Sequence, residues 1–188
     1  MIPVLTVRNP WAWALIHAGK TVENRTRSLG AYRGPVLIHA GKTYDDAGSV
    51  DSRPMLDAMN AWLDQHGHAP LGDAPWDVRG AIVGVVDLVE THHADWCWDG
   101  PRVHCSPWGE SDVHHLVMAN PRQLDEPIPW KGALGLRKTR FDIAGHWLVE
   151  ATDLCTCGPG PLSPHHEPGC GLEPVALLSS TTERAVRA

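Results

Sequence analysis

Residues 5–42 constrain the fold more than any other stretch, because they hold a helix signal and a group of charges between two apolar segments. Asn9 is a residue type preferred at helix N-caps, and Pro10 suits the first helical position because its missing N–H would have no partner there. Gly19 predicts the end of the helix. The sequence therefore predicts a strand, a capped helix and a second strand packed closely together.

Charged side chains follow this predicted helix directly: Lys20, Glu23 and Arg25. If residues 21–25 are extended, Glu23 and Arg25 point to the same side, because side chains alternate along a strand. Desolvation offsets most of the Coulomb gain of a charged pair beside a hydrophobic core, so such a pair adds little to the stability of the fold. This favours a role for the pair in recognition of a ligand. A purely structural ion pair is the alternative.

Strand signals continue through the first 140 residues. Gly80–Glu90 is apolar on both faces, which is typical of a central strand. A last strand is expected to lead from Pro127 to Leu136, with Leu134 and Leu136 facing the core. The other predicted strands are Ile2–Arg8, Pro35–His39 and His114–Ala119, the last ending at the turn Asn120-Pro121-Arg122.

Residues 43–79 interrupt this pattern with an insertion rich in Pro, Gly and Asp. Within it, Met55, Met59 and Trp62 follow helical spacing. The insertion therefore contains one helix, which we expect to pack on the strands by this apolar stripe.

The net charge of the 188-residue chain is −6, but its basic residues are concentrated in two segments. Residues 1–42 hold six basic side chains against the single acid Glu23, and residues 131–140 hold four with no acid. A basic face on an acidic protein is typical of a nucleic-acid reader, provided that the fold brings the two segments together. Scattered, solvated charges are the alternative.

Several motifs together resemble one known family. NPWAWALIHAGKTVENR and YRGPVLIHAGK are similar to the ASCH domain, a branch of the PUA-like β-barrel superfamily, and the resemblance resumes at GAIVGVVDLVE, SPWGESDVHHLVMANPR and PIPWKGALGLRK. The matching positions of the family motif are Pro10, Trp11, Ala12, Gly19, Lys20, Val22, Glu23, Arg25, Arg33 and Gly34. The resemblance covers most of residues 1–140. It implies an α+β fold, namely a small, mixed, mostly antiparallel PUA-like β-barrel with rim helices, followed by a C-terminal extension.

The same resemblance implies binding of RNA, DNA or a modified nucleobase in a basic cleft beside the first helix. Such a site needs an aromatic surface for a base, polar groups for its edge and cations for phosphates. Trp11 or Trp108 is the candidate aromatic surface, and Glu23 is a candidate acceptor for an exocyclic amine. The candidate cations are Lys20, Arg25, Arg33, Lys42 and Lys131.

A hydrolase is the alternative function. Some ASCH proteins hydrolyse acetylated cytidine nucleosides with a Lys base, a Thr nucleophile three residues later and a distant Glu. Lys20 matches that Lys, whereas Glu23 occupies the Thr position and Glu110 is the candidate for the distant Glu. Others resemble metal-aided ribonucleases, for which Lys20 or Lys42 would stabilise developing charge and His39 would shuttle a proton. A protein-interaction module that uses the insertion helix is a third alternative.

Two segments carry the residue types that bind metals. CTCGPGPLSPHHEPGC predicts a structural zinc site, with a disordered tail as the alternative and His166 a better imidazole ligand than His165; its ligands would be Cys155, Cys157, His166 and Cys170. An earlier irregular segment has a spacing that matches no common metal site, so loop side chains at the barrel mouth or the packing of aromatic residues are expected there, with a metal site as the alternative; its candidate ligands are His92 or His93, Cys97, His104 and Cys105.

These features divide the chain into three parts. Residues 1–140 form the ASCH-like domain, residues 141–178 the Cys/His extension, and residues 179–188 a frayed tail. Five cysteines suit metal binding or free thiols better than a disulfide framework. No apolar run reaches the length of about eighteen residues that a membrane span needs, and the N-terminus lacks a signal pattern, so we expect a cytoplasmic protein.

Overall fold

The computed structural model describes residues 1–46, 51–70, 72–97, 105–151 and 172–180. This part contains two α-helices and nine β-strands, and neither helix has the length and apolar character needed to cross a membrane. In chain order the elements are β1 (Pro3–Asn9), α1 (Trp11–His17), β2 (Val22–Arg25), β3 (Gly34–Tyr44), α2 (Arg53–His66), β4 (Ala81–His93), β5 (His114–Pro129), β6 (Leu136–Lys138), β7 (Phe141–Ala144), β8 (Trp147–Ala151) and β9 (Leu172–Ser180). This mixed, sheet-dominated domain with two helices is compatible with the predicted α+β class.

The strands form one mixed sheet. Its order is β6-β1-β3-β4-β5-β9-β8-β7, and β2 pairs with one part of β5. β1 and β3 run parallel, whereas the other pairs run antiparallel. This order is an open path, so the strands that the structure describes do not close into the barrel that the sequence led us to expect.

Strand β4 is buried on both faces, which explains its continuous apolar sequence. On one face, Val86 joins a core that includes Leu15 of α1. On the other face, Ile82 joins a second core that includes Leu178 of β9. The prediction of a central strand at this position is confirmed.

Helix α1 crosses β4 at Gly84. A Cβ atom there would lie 2.7 Å from Ile16 Cδ1 and 2.6 Å from the Arg122 carbonyl oxygen. A side chain at this position would push the helix away from the sheet, so the close packing of α1 requires glycine.

Helix α1 ends as predicted but begins differently. Gly19 has a left-handed backbone with a φ of 68°, which suits the end of a helix. At the other end, Pro10 occupies the N-cap position without a side-chain cap. The buried Asn9 side chain donates instead to the carbonyl oxygens of Gly41 at 3.1 Å and Val78 at 2.7 Å. The predicted Asn9 cap is therefore wrong, because these carbonyls use its amide as their donor.

Helix α2 packs by the predicted stripe. Met55 is fully buried, and Met59 and Trp62 pack beside it in a cluster that contains Trp13 and Trp108. Unlike Met55, Met59 and Trp62 are only half-buried, so the stripe packs against the protein as predicted.

Two strand predictions between β5 and β6 are wrong. β5 continues through the expected turn at Asn120-Pro121-Arg122, where a φ of 50° at Asn120 and a register shift against β4 absorb the irregularity. The expected strand from Pro127 to Leu136 is divided, since β5 ends at Pro129 and β6 begins at Leu136. Leu136 packs partly against the core, but Leu134 is 88% exposed.

Residues after 140 contribute three strands that the sequence patterns did not reveal. β7 pairs with β8, β8 pairs with β9, and β9 pairs with β5. Phe141, Leu148 and Leu178 are buried in the second core. β9 ends at Ser180, inside the segment expected to be a tail. The extension is therefore anchored in the same sheet as the rest of the chain.

Candidate functional site

The first group of candidate residues surrounds a buried lysine. Lys20 follows the end of α1, and only 4% of its surface is exposed. Its Nζ atom lies 5.1 Å from the ring centroid of Trp11 and 5.6 Å from that of Trp108. The nearest carboxylate oxygen, Glu23 Oε2, is 4.0 Å away. A cation is thus held between two indole faces beside one acid, an arrangement in which the cation–π attraction offsets part of the desolvation.

Glu23 and Arg25 complete this group from β2. Arg25 Nη2 lies 3.1 Å from Glu23 Oε1, so the two side chains point to the same side, as the strand alternation predicted. The same Nη2 atom donates to the Thr6 carbonyl oxygen of β1 at 2.6 Å. Arg25 therefore links the lysine group to the neighbouring strand.

Residues 105–110 form the opposite wall of this group and are bound to β2. The Asn24 side-chain amide donates to the Trp108 carbonyl at 2.9 Å and to Glu110 Oε1 at 3.0 Å. The hydroxyl groups of Thr21 and Ser106 are 2.9 Å apart. The position of Trp108 over Lys20 thus depends on polar contacts between this loop and β2. We call residues 105–110 the tryptophan loop.

Burial lowers the pKa of Lys20 below its ordinary value of 10.5, and the negative charges of Glu23 and Glu110 oppose this shift. The sequence had suggested Glu110 as a carboxylate partner of Lys20, and the structure brings it close enough to influence that pKa. A lysine with this environment is suited to recognition or to proton transfer.

A cleft with a volume of about 650 Å³ lies nearby on the sheet. Two of the predicted cations, Lys42 and Lys131, line it and are exposed, and the half-buried Trp130 lies next to them. Thr6 also lines the cleft, and its carbonyl accepts the hydrogen bond from Arg25 described above. The eight predicted binding residues therefore fall mainly into two groups that meet at Thr6.

His39 lies at the base of this cleft with a defined protonation state. His39 Nε2 is 3.1 Å from the Trp130 carbonyl oxygen, which only accepts, so Nε2 carries the proton. Nδ1 then accepts from the Thr6 hydroxyl at 3.1 Å. Burial lowers the pKa of His39 below 6.5. Both ring nitrogens are engaged by the protein, so this geometry suits a structural histidine better than the proton shuttle considered from the sequence.

The two basic segments are neighbours in the sheet. β6 pairs with β1, so that Lys138 lies opposite Pro3 and Arg137 opposite Val4. Arg33 differs from the other candidate cations in its contacts. Its guanidinium donates to carbonyl oxygens of its own loop and remains exposed. The sequence-based expectation that the segments meet is confirmed.

A separate cluster lies where β4 ends and β5 begins. The metal-binding atoms of four side chains all lie within 4.8 Å of one another, an arrangement compatible with a metal site; the residues are His92, Cys97, Cys105 and His115. His115 is fully buried, and its Nδ1 atom lies 3.0 Å from Cys97 Sγ and 3.2 Å from Cys105 Sγ. His92 Nε2 lies 3.1 Å from Cys97 Sγ. Burial raises the pKa of the Cys105 thiol to about 12, and its hydrogen bond with Cys97 adds to the rise.

This cluster only partly matches the candidates chosen from the sequence. His92, Cys97 and Cys105 were among them, whereas His93 pairs with Asp95 instead. His104 lies outside the described residues. His115 was missed, although it lies directly opposite His92 in the antiparallel pairing of β4 and β5. The two adjacent histidines at the start of β5 are visible in the sequence. Which of them lies opposite His92 depends on the strand register, which the sequence does not specify.

The other predicted metal ligands are Cys155, Cys157, His166 and Cys170. All four lie outside the described residues. No protein-family model matches this chain, and no curated protein matches it either.

Proposed function

We propose that this chain binds single-stranded nucleic acid, with RNA or a modified nucleobase as the preferred ligand. The observation that carries the proposal is the cleft of about 650 Å³ bordered by Lys42, Lys131 and Trp130. It combines exposed cations with an aromatic side chain, which are the two elements that single-strand binding needs. It also lies close to the seam between β1 and β6, where the basic segments meet.

In this proposal the cleft holds the phosphates and Lys20 reads a base. The Lys20 ammonium donates to a base carbonyl, and Glu23 accepts from a neighbouring N–H group of the same base. Trp108 is only 9% exposed, and the Trp11 indole N–H donates to Asp45 at 3.0 Å. These two rings therefore position Lys20, and Trp130 takes the stacking role that the sequence had suggested for them.

We further propose that the chain is a distant relative of the ASCH domains, in which the open sheet is an elaborated form of the PUA-like barrel. In support, four residues of the motif surround one site: Trp11 from α1, Lys20 from the turn that follows, and Glu23 and Arg25 from β2. A cytoplasmic location belongs to the same proposal, because free thiols such as Cys97 and Cys105 remain reduced there.

The test is a titration of the protein with single-stranded RNA, single-stranded DNA and duplex DNA at several salt concentrations. We expect saturable binding to single strands that weakens as salt rises, because bound cations release counterions from phosphates. The double variant Lys42→Ala/Lys131→Ala should bind more weakly at low salt. Its plot of log affinity against log salt should be shallower by about 1.4, which corresponds to two lost phosphate contacts on a single strand.

Arg53→Ala is the control. Arg53 is exposed on α2, outside both basic segments, and is paired with Asp57, so this variant removes a positive charge elsewhere on the surface. The control should retain the wild-type slope. Equal affinity and equal slope in wild type, cleft variant and control would refute the proposal.

A hydrolase is the second candidate, because burial lowers the pKa of Lys20 beside Glu23 and Glu110. A lysine that releases its proton more easily is suited to act as a general base. Incubation of the protein with an N-acetylated cytidine nucleoside and with single-stranded RNA would detect acetate release or strand cleavage. Product formation that disappears in Lys20→Met would establish this function, whereas intact substrates would exclude it for these substrates.

A further inference from the structure

We infer that His92, Cys97, Cys105 and His115 bind one zinc ion that joins the ends of β4 and β5. This metal site is argued from the described cluster alone and does not depend on the proposed nucleic-acid binding. It is also distinct from the C-terminal cysteines for which the sequence had predicted zinc.

The hydrogen bonds around the cluster aim both imidazole lone pairs inward. His115 Nε2 is 2.8 Å from the Glu110 carbonyl oxygen, so this nitrogen carries the proton and Nδ1 faces the two sulfur atoms with its lone pair. His92 Nδ1 donates to the Glu90 carboxylate at 2.9 Å, which leaves the lone pair on Nε2 toward Cys97. Metal-binding histidines commonly donate their other N–H to a carboxylate or a backbone carbonyl, and both kinds of partner are present here.

The donor set favours zinc over other metals. Two thiolates and two imidazoles are a common tetrahedral zinc set, whereas calcium and magnesium prefer oxygen ligands. Typical Zn–S and Zn–N bonds place tetrahedral ligand atoms about 3.3–3.8 Å apart. In the cluster, the nitrogen–sulfur contacts are 3.0–3.2 Å and all four ligand atoms lie within 4.8 Å of one another. The separations that zinc requires fall between these distances, so small side-chain movements would admit the ion. All four positions are filled by protein, which makes the ion structural.

The ion would connect elements that lie apart in the sequence. His92 is the last residue but one of β4 and His115 is the second residue of β5, while Cys97 follows the short turn after β4. Cys105 is the first residue of the tryptophan loop. Zinc would therefore fix the start of this loop, and the His115–Glu110 hydrogen bond would fix its end.

The first test measures zinc in the purified full-length protein and replaces it with cobalt. We expect at least one equivalent of zinc per chain. The cobalt form should show an intense thiolate-to-cobalt charge-transfer band and the strong visible bands of tetrahedral coordination. A wild-type protein without zinc, or one with a Cys97–Cys105 disulfide, would overturn the inference.

Variants then assign the metal to the cluster. Cys97→Ser and Cys105→Ser should each lose one equivalent of zinc and the corresponding cobalt bands. Because these changes risk misfolding, the decisive variant is Cys155→Ser/Cys157→Ser/Cys170→Ser, which leaves the cluster intact. Retention of one equivalent of zinc and of the thiolate band in this triple variant supports the site. Complete loss of zinc from it would overturn the inference.

Discussion

At the scale of single residues, Lys20 is the most unusual feature of the molecule. Its ammonium group is buried away from water, with one carboxylate oxygen 4.0 Å away and two indole rings beside it. Burial disfavours the charged form and thereby lowers its pKa. The chain thus tolerates a destabilising charge at the position where we propose that it reads a base.

This desolvation has a measurable pH dependence. The unfolded Lys20 keeps its proton up to about its ordinary pKa of 10.5, whereas the folded one releases it at lower pH. The contribution of Lys20 to stability should therefore rise with pH in the window below 10.5, because the unfolded lysine holds more protons there than the folded one. Lys20→Met keeps a similar side-chain volume but has no group that titrates. Its free energy of unfolding relative to that of the wild type should therefore fall as pH rises through this window. Each unit of pKa lowering contributes about 1.4 kcal/mol to that change.

Denaturant unfolding of both proteins at several pH values measures this difference. Lys138→Met is the control, because Lys138 is exposed on β6 and folding leaves its charge in water. The control should show no comparable trend relative to wild type. A constant difference between Lys20→Met and wild type at all pH values would mean that burial does not act on this lysine.

At the scale of elements, the sequence predicted strands well where both faces are apolar and poorly where only one face is covered. β4 packs between two cores, so its apolar run was unmistakable. β7 and β8 have only four and five residues, and these strands join the main sheet only because β9 pairs with the distant strand β5. Leu134 shows the reverse error, because an apolar residue near a basic strand proved to be exposed.

The contrast between Leu178 and Leu134 gives a stability prediction. Leu178 of β9 is 5% exposed and packs in the second core, whereas Leu134 is 88% exposed. Leu178→Ala should lower the free energy of unfolding by about 2–5 kcal/mol, because it removes buried methyl groups and leaves a cavity. Leu134→Ala should change it by less than about 0.5 kcal/mol. Denaturant titrations of both variants test this, and equal effects would show that β9 is not part of the core.

The candidate sites differ in how far the sequence could reveal them. Lys20, Glu23 and Arg25 are close in the chain, so strand alternation was enough to place Glu23 and Arg25 on one side. His115 became a cluster member only through its register opposite His92. A shift of one residue would turn a side chain to the other face of the sheet, and the sequence does not specify that register.

At the scale of the whole molecule, the tryptophan loop connects the two candidate sites. Its first residue, Cys105, belongs to the metal cluster, and Glu110 accepts the hydrogen bond from His115. Between them, Trp108 lies over Lys20 and its carbonyl accepts from Asn24. The cleft lysines lie on other segments and contribute nothing to this loop. Zinc should therefore affect the base-reading group but not the phosphate contacts.

If both proposals hold, zinc removal should weaken nucleic-acid binding in a specific way. Chelation should reduce affinity for single strands by at least about tenfold, roughly the value of one charge-assisted hydrogen bond from Lys20. The salt slope should stay unchanged, because Lys42 and Lys131 still meet the phosphates. Titrations of native, chelated and zinc-restored protein measure both quantities, and restored affinity excludes irreversible unfolding. The variant Lys42→Ala/Lys131→Ala should show the opposite pattern, with a reduced slope and full zinc content. An unchanged affinity after complete zinc removal would separate the metal from the binding site. A salt slope that falls on zinc removal would contradict the prediction that the phosphate contacts are independent of the metal.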